Sequence, residues 1–162
     1  MTLAKTRWTI TLVALLFSAL SFAQVGRNVS EYNLEAGNLG LKGYDPVSYF
    51  AEGGSQPAKG DASISIEHKG VVYNFASVEN REIFKVMPER YEPTYGGYCA
   101  WAMSVRNGSK VDIDPLLYTI NGNRAHFFIV PSAKRNFDRG ISRFEPRADR
   151  NWKRISGKEP RL

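Results

Sequence analysis

Two turn signals, each set between β-prone runs, limit this chain's fold more than any other feature. Residues 63–68 alternate apolar and polar side chains, as a half-buried strand does; Lys69-Gly70 turns the chain and residues 71–75 return. Residues 117–120 and 124–130 flank Asn121-Gly122-Asn123, which predicts a second hairpin. Helix signals surround them. Ser77 is a natural N-cap for a helix over 78–87 that stops before Pro88, with Ile83 and Phe84 facing inward. Asp45-Pro46 and Asp114-Pro115 each join an N-cap residue to a proline at the first helical position. The first pair predicts a short helix ending near Gly53-Gly54, with Tyr49 and Phe50 as core anchors. Ser132 caps a helix through Arg139 that Gly140 ends, and residues 146–154 form a last helix held by Phe144 and Trp152. Residues 39–42 form a short strand. The expected fold class is α+β: a single small domain with two β-hairpins and several short helices.

The run Tyr95-Gly96-Gly97-Tyr98-Cys99-Ala100-Trp101-Ala102-Met103-Ser104 concentrates unusual chemistry, including the only cysteine. The two glycines permit backbone conformations other residues disfavour, and the residues after them contain no helix breaker. With Gly97 as N-cap, Cys99 lies in the first helical turn, where free N–H groups and the helix dipole favour a thiolate. Met103 then follows at i+4 on the same face. Two readings stand side by side. Two soft sulfurs on one face suit Cu(I) or another soft metal; equally, unpaired cysteine and methionine are common core residues.

Residues 1–23 read as a secretory signal. Lys5 and Arg7 supply its positive start, residues 8–20 its apolar stretch, and Ser21-Phe22-Ala23 its small residues before the cut. The apolar stretch is short and interrupted for a membrane span, so no transmembrane segment is expected after cleavage. The expected location is periplasmic or secreted. A single cysteine then leaves no internal disulfide. Cleavage leaves 139 of the 162 residues, one domain's worth. We divide them into a lead-in over 24–39, a domain over 40–154 and a tail over 155–162. From Pro131 onward ten basic residues face four acidic ones. Such a segment is a solvated helix face, or it meets an acidic partner or an anionic membrane surface. An exported location argues against nucleic acid.

Tyr44-Asp45-Pro46-Val47-Ser48-Tyr49-Phe50, Tyr73-Asn74-Phe75-Ala76-Ser77 through Asn80 to Phe84, and Pro88-Glu89-Arg90-Tyr91 together resemble the YHS domain. Tyr95 to Ala100 and the pair Asn151-Trp152 are similar to exported, stand-alone YHS proteins, and the likeness covers residues 40–154. Metal-associated members of the family carry cysteines at positions that correspond here to Ser48, Ala76 and Asn80. None of the three thiols is present, so the family's metal site does not transfer.

The resemblance implies a small binding module, and the two soft sulfurs place its metal ion or small ligand near Cys99. The candidate ligand-binding residues are Cys99, Met103, Tyr98, Trp101, Tyr44 and Asp45, and the candidate metal ligands are Cys99 and Met103, with copper or another soft metal as the ion. His68 and His126 fall on different hairpins without ligand spacing. The alternatives are a structural or partner-binding envelope domain, or a thiol-dependent enzyme using Cys99. Nucleophilic catalysis needs a base and an oxyanion site beside the thiol, and no local signature supplies them. No Cys-x-x-Cys pair, zinc-protease motif or phosphate loop occurs.

Overall fold

The computed structural model describes residues 27–160, so the expected signal over 1–23 lies outside the described residues. Both predicted hairpins form. Strand β3 (Asp61–His68) pairs antiparallel with β4 (Val71–Phe75), after β1 (Leu34–Glu35) and β2 (Leu39–Gly40) have been laid down. Lys69 and Gly70 both adopt positive φ, the backbone a two-residue hairpin turn requires. Strand β2 adds to β4 in parallel at Leu39↔Val72 and β1 closes the order β1-β2-β4-β3. Thus β4 is interior, which matches its almost unbroken burial. Gly40 is dictated by β4: a Cβ there would stand 2.8 Å from the Tyr73 ring.

Three helices follow. α1 (Val78–Val86) is capped by Ser77, whose Oγ accepts from the Asn80 N–H at 3.1 Å, and it stops before Pro88 as expected. The chain restarts at once as α2 (Pro88–Tyr91), with Pro88 at the first position. α3 (Ala100–Ser104) is short. The second hairpin, β5 (Asp114–Asn121) with β6 (Arg124–Phe128), makes a separate two-stranded sheet. α4 (Pro131–Asp138) and α5 (Ile141–Ser156) complete the described chain. The fold is α+β, as the two periodicities predict.

Several local expectations give way to tertiary bonds. No α-helix follows Asp45-Pro46. The Asp45 side chain accepts from the Val47 N–H at 2.8 Å, and only a 3-10 turn forms at Ala51–Gly53. Its other carboxylate oxygen is taken by Ala76 and Asn80, which holds Asp45 against the start of α1 instead of at a helix cap. Asp114-Pro115 opens a strand, not a helix, because Asp114 closes a turn onto the Leu116 N–H at 2.9 Å. α4 begins at Pro131 with Val130 as N-cap, so Ser132 is not its cap. Residues 27–39, read from sequence as a lead-in, carry β1, part of β2 and the buried Arg27 pair described below. α5 begins five residues before Pro146. That proline cannot donate to the Ser142 carbonyl, and Ser142 is exposed, so water can take the free acceptor.

The core joins both sheets. Phe84 lies against Tyr73 and Phe75, while Tyr49 meets Phe127 edge-on at 5.0 Å. The basic C-terminal segment docks through its apolar face: Ala148 and Trp152 are buried, and Phe144 packs on Trp101 at 4.9 Å. Asn151 adds a hydrogen bond to the Met103 carbonyl at 2.9 Å. Truncating a buried tryptophan costs about 3–5 kcal/mol. We therefore expect Trp152→Ala to lower the unfolding free energy from urea melts by that amount and to open the bonds after Arg143 and Arg147 to trypsin. Unchanged stability would mean that α5 does not depend on this anchor.

Candidate functional site

The backbone of the Tyr95–Ser104 run differs from its expected form. Tyr95, Gly96 and Gly97 hold φ of 54°, 61° and 83°, three left-handed residues in succession. A tyrosine there is strained, and three contacts hold it: its hydroxyl donates to Asp149 Oδ1 at 2.9 Å, its ring stacks on His126 at 5.7 Å, and the next carbonyl accepts from the Asn33 N–H. Gly97 therefore sits outside the helix and is not its cap. Cys99 itself is the N-cap of α3; its carbonyl accepts from the Met103 N–H at 2.9 Å, and its own N–H donates to the Val111 carbonyl.

Cys99 and Met103 are each 0% exposed. Neither a substrate nor an entering ion reaches the thiol without opening the core. Among the described residues no group of three or more His, Cys, Asp or Glu is placed to hold a metal. Of the other candidates, Tyr98 donates to the Tyr32 carbonyl at 3.2 Å and Trp101 packs on Phe144. Tyr44 lies under the Lys59 amine at 4.8 Å, and Asp45 is buried. Their bonded partners differ, so the six residues do not line one site. Ser48, Ala76 and Asn80 each bond to Asp45. The Ser48 N–H and hydroxyl donate to the Asp45 carbonyl, while the Ala76 N–H and Asn80 Nδ2 donate to Asp45 Oδ2 at 2.9 and 2.7 Å. The Asp45 carboxylate is satisfied by the Val47 and Ala76 N–H groups and the Asn80 amide, while Ser48 bonds its backbone carbonyl.

A buried polar network crosses from β6 to α5. Arg124 donates to both Glu145 and Asp149, at 2.7 Å to Asp149 Oδ1. His126 is fully buried; Thr94 donates to the Ala125 carbonyl, so its hydroxyl oxygen is left to accept from His126 Nδ1–H at 3.0 Å. On the other side of the ring, Nε2 stands 3.3 Å from Glu145 Oε2. Burial by itself would raise the Glu145 carboxyl, but His126, Asn121 and Arg124 outweigh it and hold it down at about 2. Nothing in the spacing of His126 pointed to this network, because Glu145 lies on a helix 19 residues further along the chain and Thr94 lies 32 residues before the histidine.

A concavity with buried charge lies elsewhere. A cleft of about 920 Å³ opens between the β3–β4 turn, α2 and α5, with Tyr32 and Trp152 as apolar wall. At its base Arg27 forks onto Glu92, with Nη2 to Oε2 at 2.8 Å, and both side chains are only 9% exposed. The Tyr73 hydroxyl donates to Glu92 Oε1 at 3.0 Å. Burial opposes the Arg27 charge, yet the Glu92 carboxylate more than compensates and raises its pKa. His68 lies at the rim beside Lys69 and Glu89; its pKa is lowered chiefly by burial, with Lys69 and Arg27 adding and Glu92 and Glu89 opposing. A second groove, of about 780 Å³ between Tyr49, Leu116 and Tyr118, has no fully buried charged group in its lining. No family model, curated protein or solved structure matches the chain.

Arg27 and Glu92 are 65 residues apart, and neither lies in a recognisable motif. Two outcomes test the assignments above. Glu145, ionised at about 2 against an ordinary 4.5, contributes stability that is fully present above pH 4.5 and is lost as pH falls towards 2. Glu145→Gln should flatten that acid limb in urea melts; an unaltered limb would exclude the network as its source. Iodoacetamide should alkylate Cys99 only at the rate of unfolding. Fast labelling of folded protein would put the thiol at the surface.

Proposed function

We propose that this chain is a small exported binding module of the YHS type, and that its ligand occupies the Arg27–Glu92 cleft instead of the Cys99 region. The observation that carries this reading is a buried, charge-assisted pair at the base of a cleft with an aromatic wall. Small-molecule sites are concave and largely apolar, with a few fixed polar groups that orient the ligand. Arg27 and Glu92 are fixed by each other and by Tyr73, so they orient a ligand without first being ordered.

Two groups near the rim have capacity to spare. His68 Nε2 is shielded from water and makes no hydrogen bond among the described residues, with Glu89 Oε1 at 3.6 Å. The Lys158 amine lines the cleft and has no carboxylate partner among the described residues. Together they favour a ligand with a planar body, to lie against Tyr32 and Trp152, and one acidic group. The family reading is supported by the convergence of Ser48, Ala76 and Asn80 on Asp45. An envelope domain that only binds partners is the second reading, and the exposed Leu116 in the second groove favours it. A thiol enzyme or a Cys99–Met103 copper site has no support from two side chains sealed in the core.

The test uses Trp152 as its reporter. Trp101→Phe leaves Trp152 as the one tryptophan among the described residues. Titration with small aromatic carboxylates should change its emission saturably. His68→Gln or Lys158→Ala should weaken binding about tenfold or more, the value of one charge-assisted contact. A flat response to the whole panel, in protein of unchanged melting temperature, would sink the cleft as the site.

A further inference from the structure

α5 carries Arg143, Arg147, Arg150 and Arg154, spaced i, i+4, i+7 and i+11. At 100° per residue they fall within an arc of about 60°, in a row about 16 Å long. Ala148 and Trp152 lie on the opposite arc and are buried. The helix has two carboxylates of its own, and both are turned inward: Glu145 to Arg124 and His126, Asp149 to Arg124 and Tyr95. No ion pair reaches Arg143, Arg147 or Arg150 among the described residues. Arg154 touches only the Asn107 carbonyl, and Arg143 lies over the Phe144 ring. Lys153 is different, since it pairs with Glu159.

This arrangement works against the helix. Arg143 with Arg147 and Arg150 with Arg154 are like-charged i,i+4 neighbours, which disfavour a helix in isolation. The fold holds α5 by its other face and leaves the four guanidinium groups without internal anions among the described residues. We propose that this arginine row docks the protein on a phosphate-bearing bilayer surface. Guanidinium groups take phosphate oxygens two at a time, and a row of four meets the density that basic segments use on anionic lipid. Other polyanions fit less well. The row holds no aromatic side chain on which bases would stack. It also lacks a large apolar anchor of the kind that centres a protein–protein interface. The contact is electrostatic and reversible, and it is independent of the Arg27 cleft.

The experiment is co-sedimentation of the full chain with phosphatidylcholine vesicles, with and without phosphatidylglycerol. Binding should require the anionic lipid, fall steeply with added salt, and weaken about fivefold for each Arg→Gln substitution in the row. A control removing the same charge elsewhere (Arg81→Gln, Lys85→Gln, Arg135→Gln and Lys110→Gln together) should bind as well as the parent. Circular dichroism and the melting temperature confirm that each variant is folded. The proposal is overturned if the parent ignores anionic vesicles, or if the control loses as much binding as the row variant. Equal affinity for a DNA duplex would also overturn it, by making the row a general polyanion surface.

Discussion

The fold depends on Arg124. It leaves the second hairpin buried, and a buried guanidinium without a partner would cost several kcal/mol. Glu145 and Asp149 supply the partners, so β6 can bury its charge only with α5 in place. The same carboxylates hold the Tyr95 hydroxyl and face His126, which fixes the left-handed turn at Tyr95–Gly97. Gly96 belongs to that joint: a Cβ there would stand 2.8 Å from the Trp152 ring. One ionic cluster thereby sets the position of the helix, the turn and the aromatic wall of the cleft.

That cluster also decides the chemistry available to Cys99. The turn before it uses Tyr95 to Gly97, so α3 starts late and the cysteine is drawn under Val111 and beside Phe127. A thiol at the first turn of an exposed helix is a nucleophile in waiting; the same thiol sealed among Met103 and the surrounding core is a small apolar side chain. Solvent access, more than residue type, separates the two.

α5 sorts its charges by face, and each face has a different consequence. Inward carboxylates neutralise Arg124, and Glu145 faces His126, while Trp152 on the same side walls the Arg27 cleft. Outward arginines are left to solvent or to an external anion. Because one helix carries both, the orientation of the cleft relative to any surface that the arginines contact is set by rigid geometry.

Local pattern was enough for what depends on near neighbours. Both hairpins, the Ser77 cap, the stop before Pro88 and the Phe144–Trp152 anchoring of the basic segment are legible from residues a few positions apart, because turn chemistry and helix capping act over that range. Asp45 and Asp114 misled for the same reason: each has the local form of a helix cap, and each spends its carboxylate in a turn, Asp45 also on distant donors just after β4 and in α1. The candidate site was legible only in its individual residues. Arg27 and Glu92 form one site across 65 residues, and His126 meets Glu145 across the packing of a strand on a helix. A single sequence records that these charges exist; which of them lose their water, and beside whom, is settled only when the chain packs, because desolvation makes a buried charge require its partner.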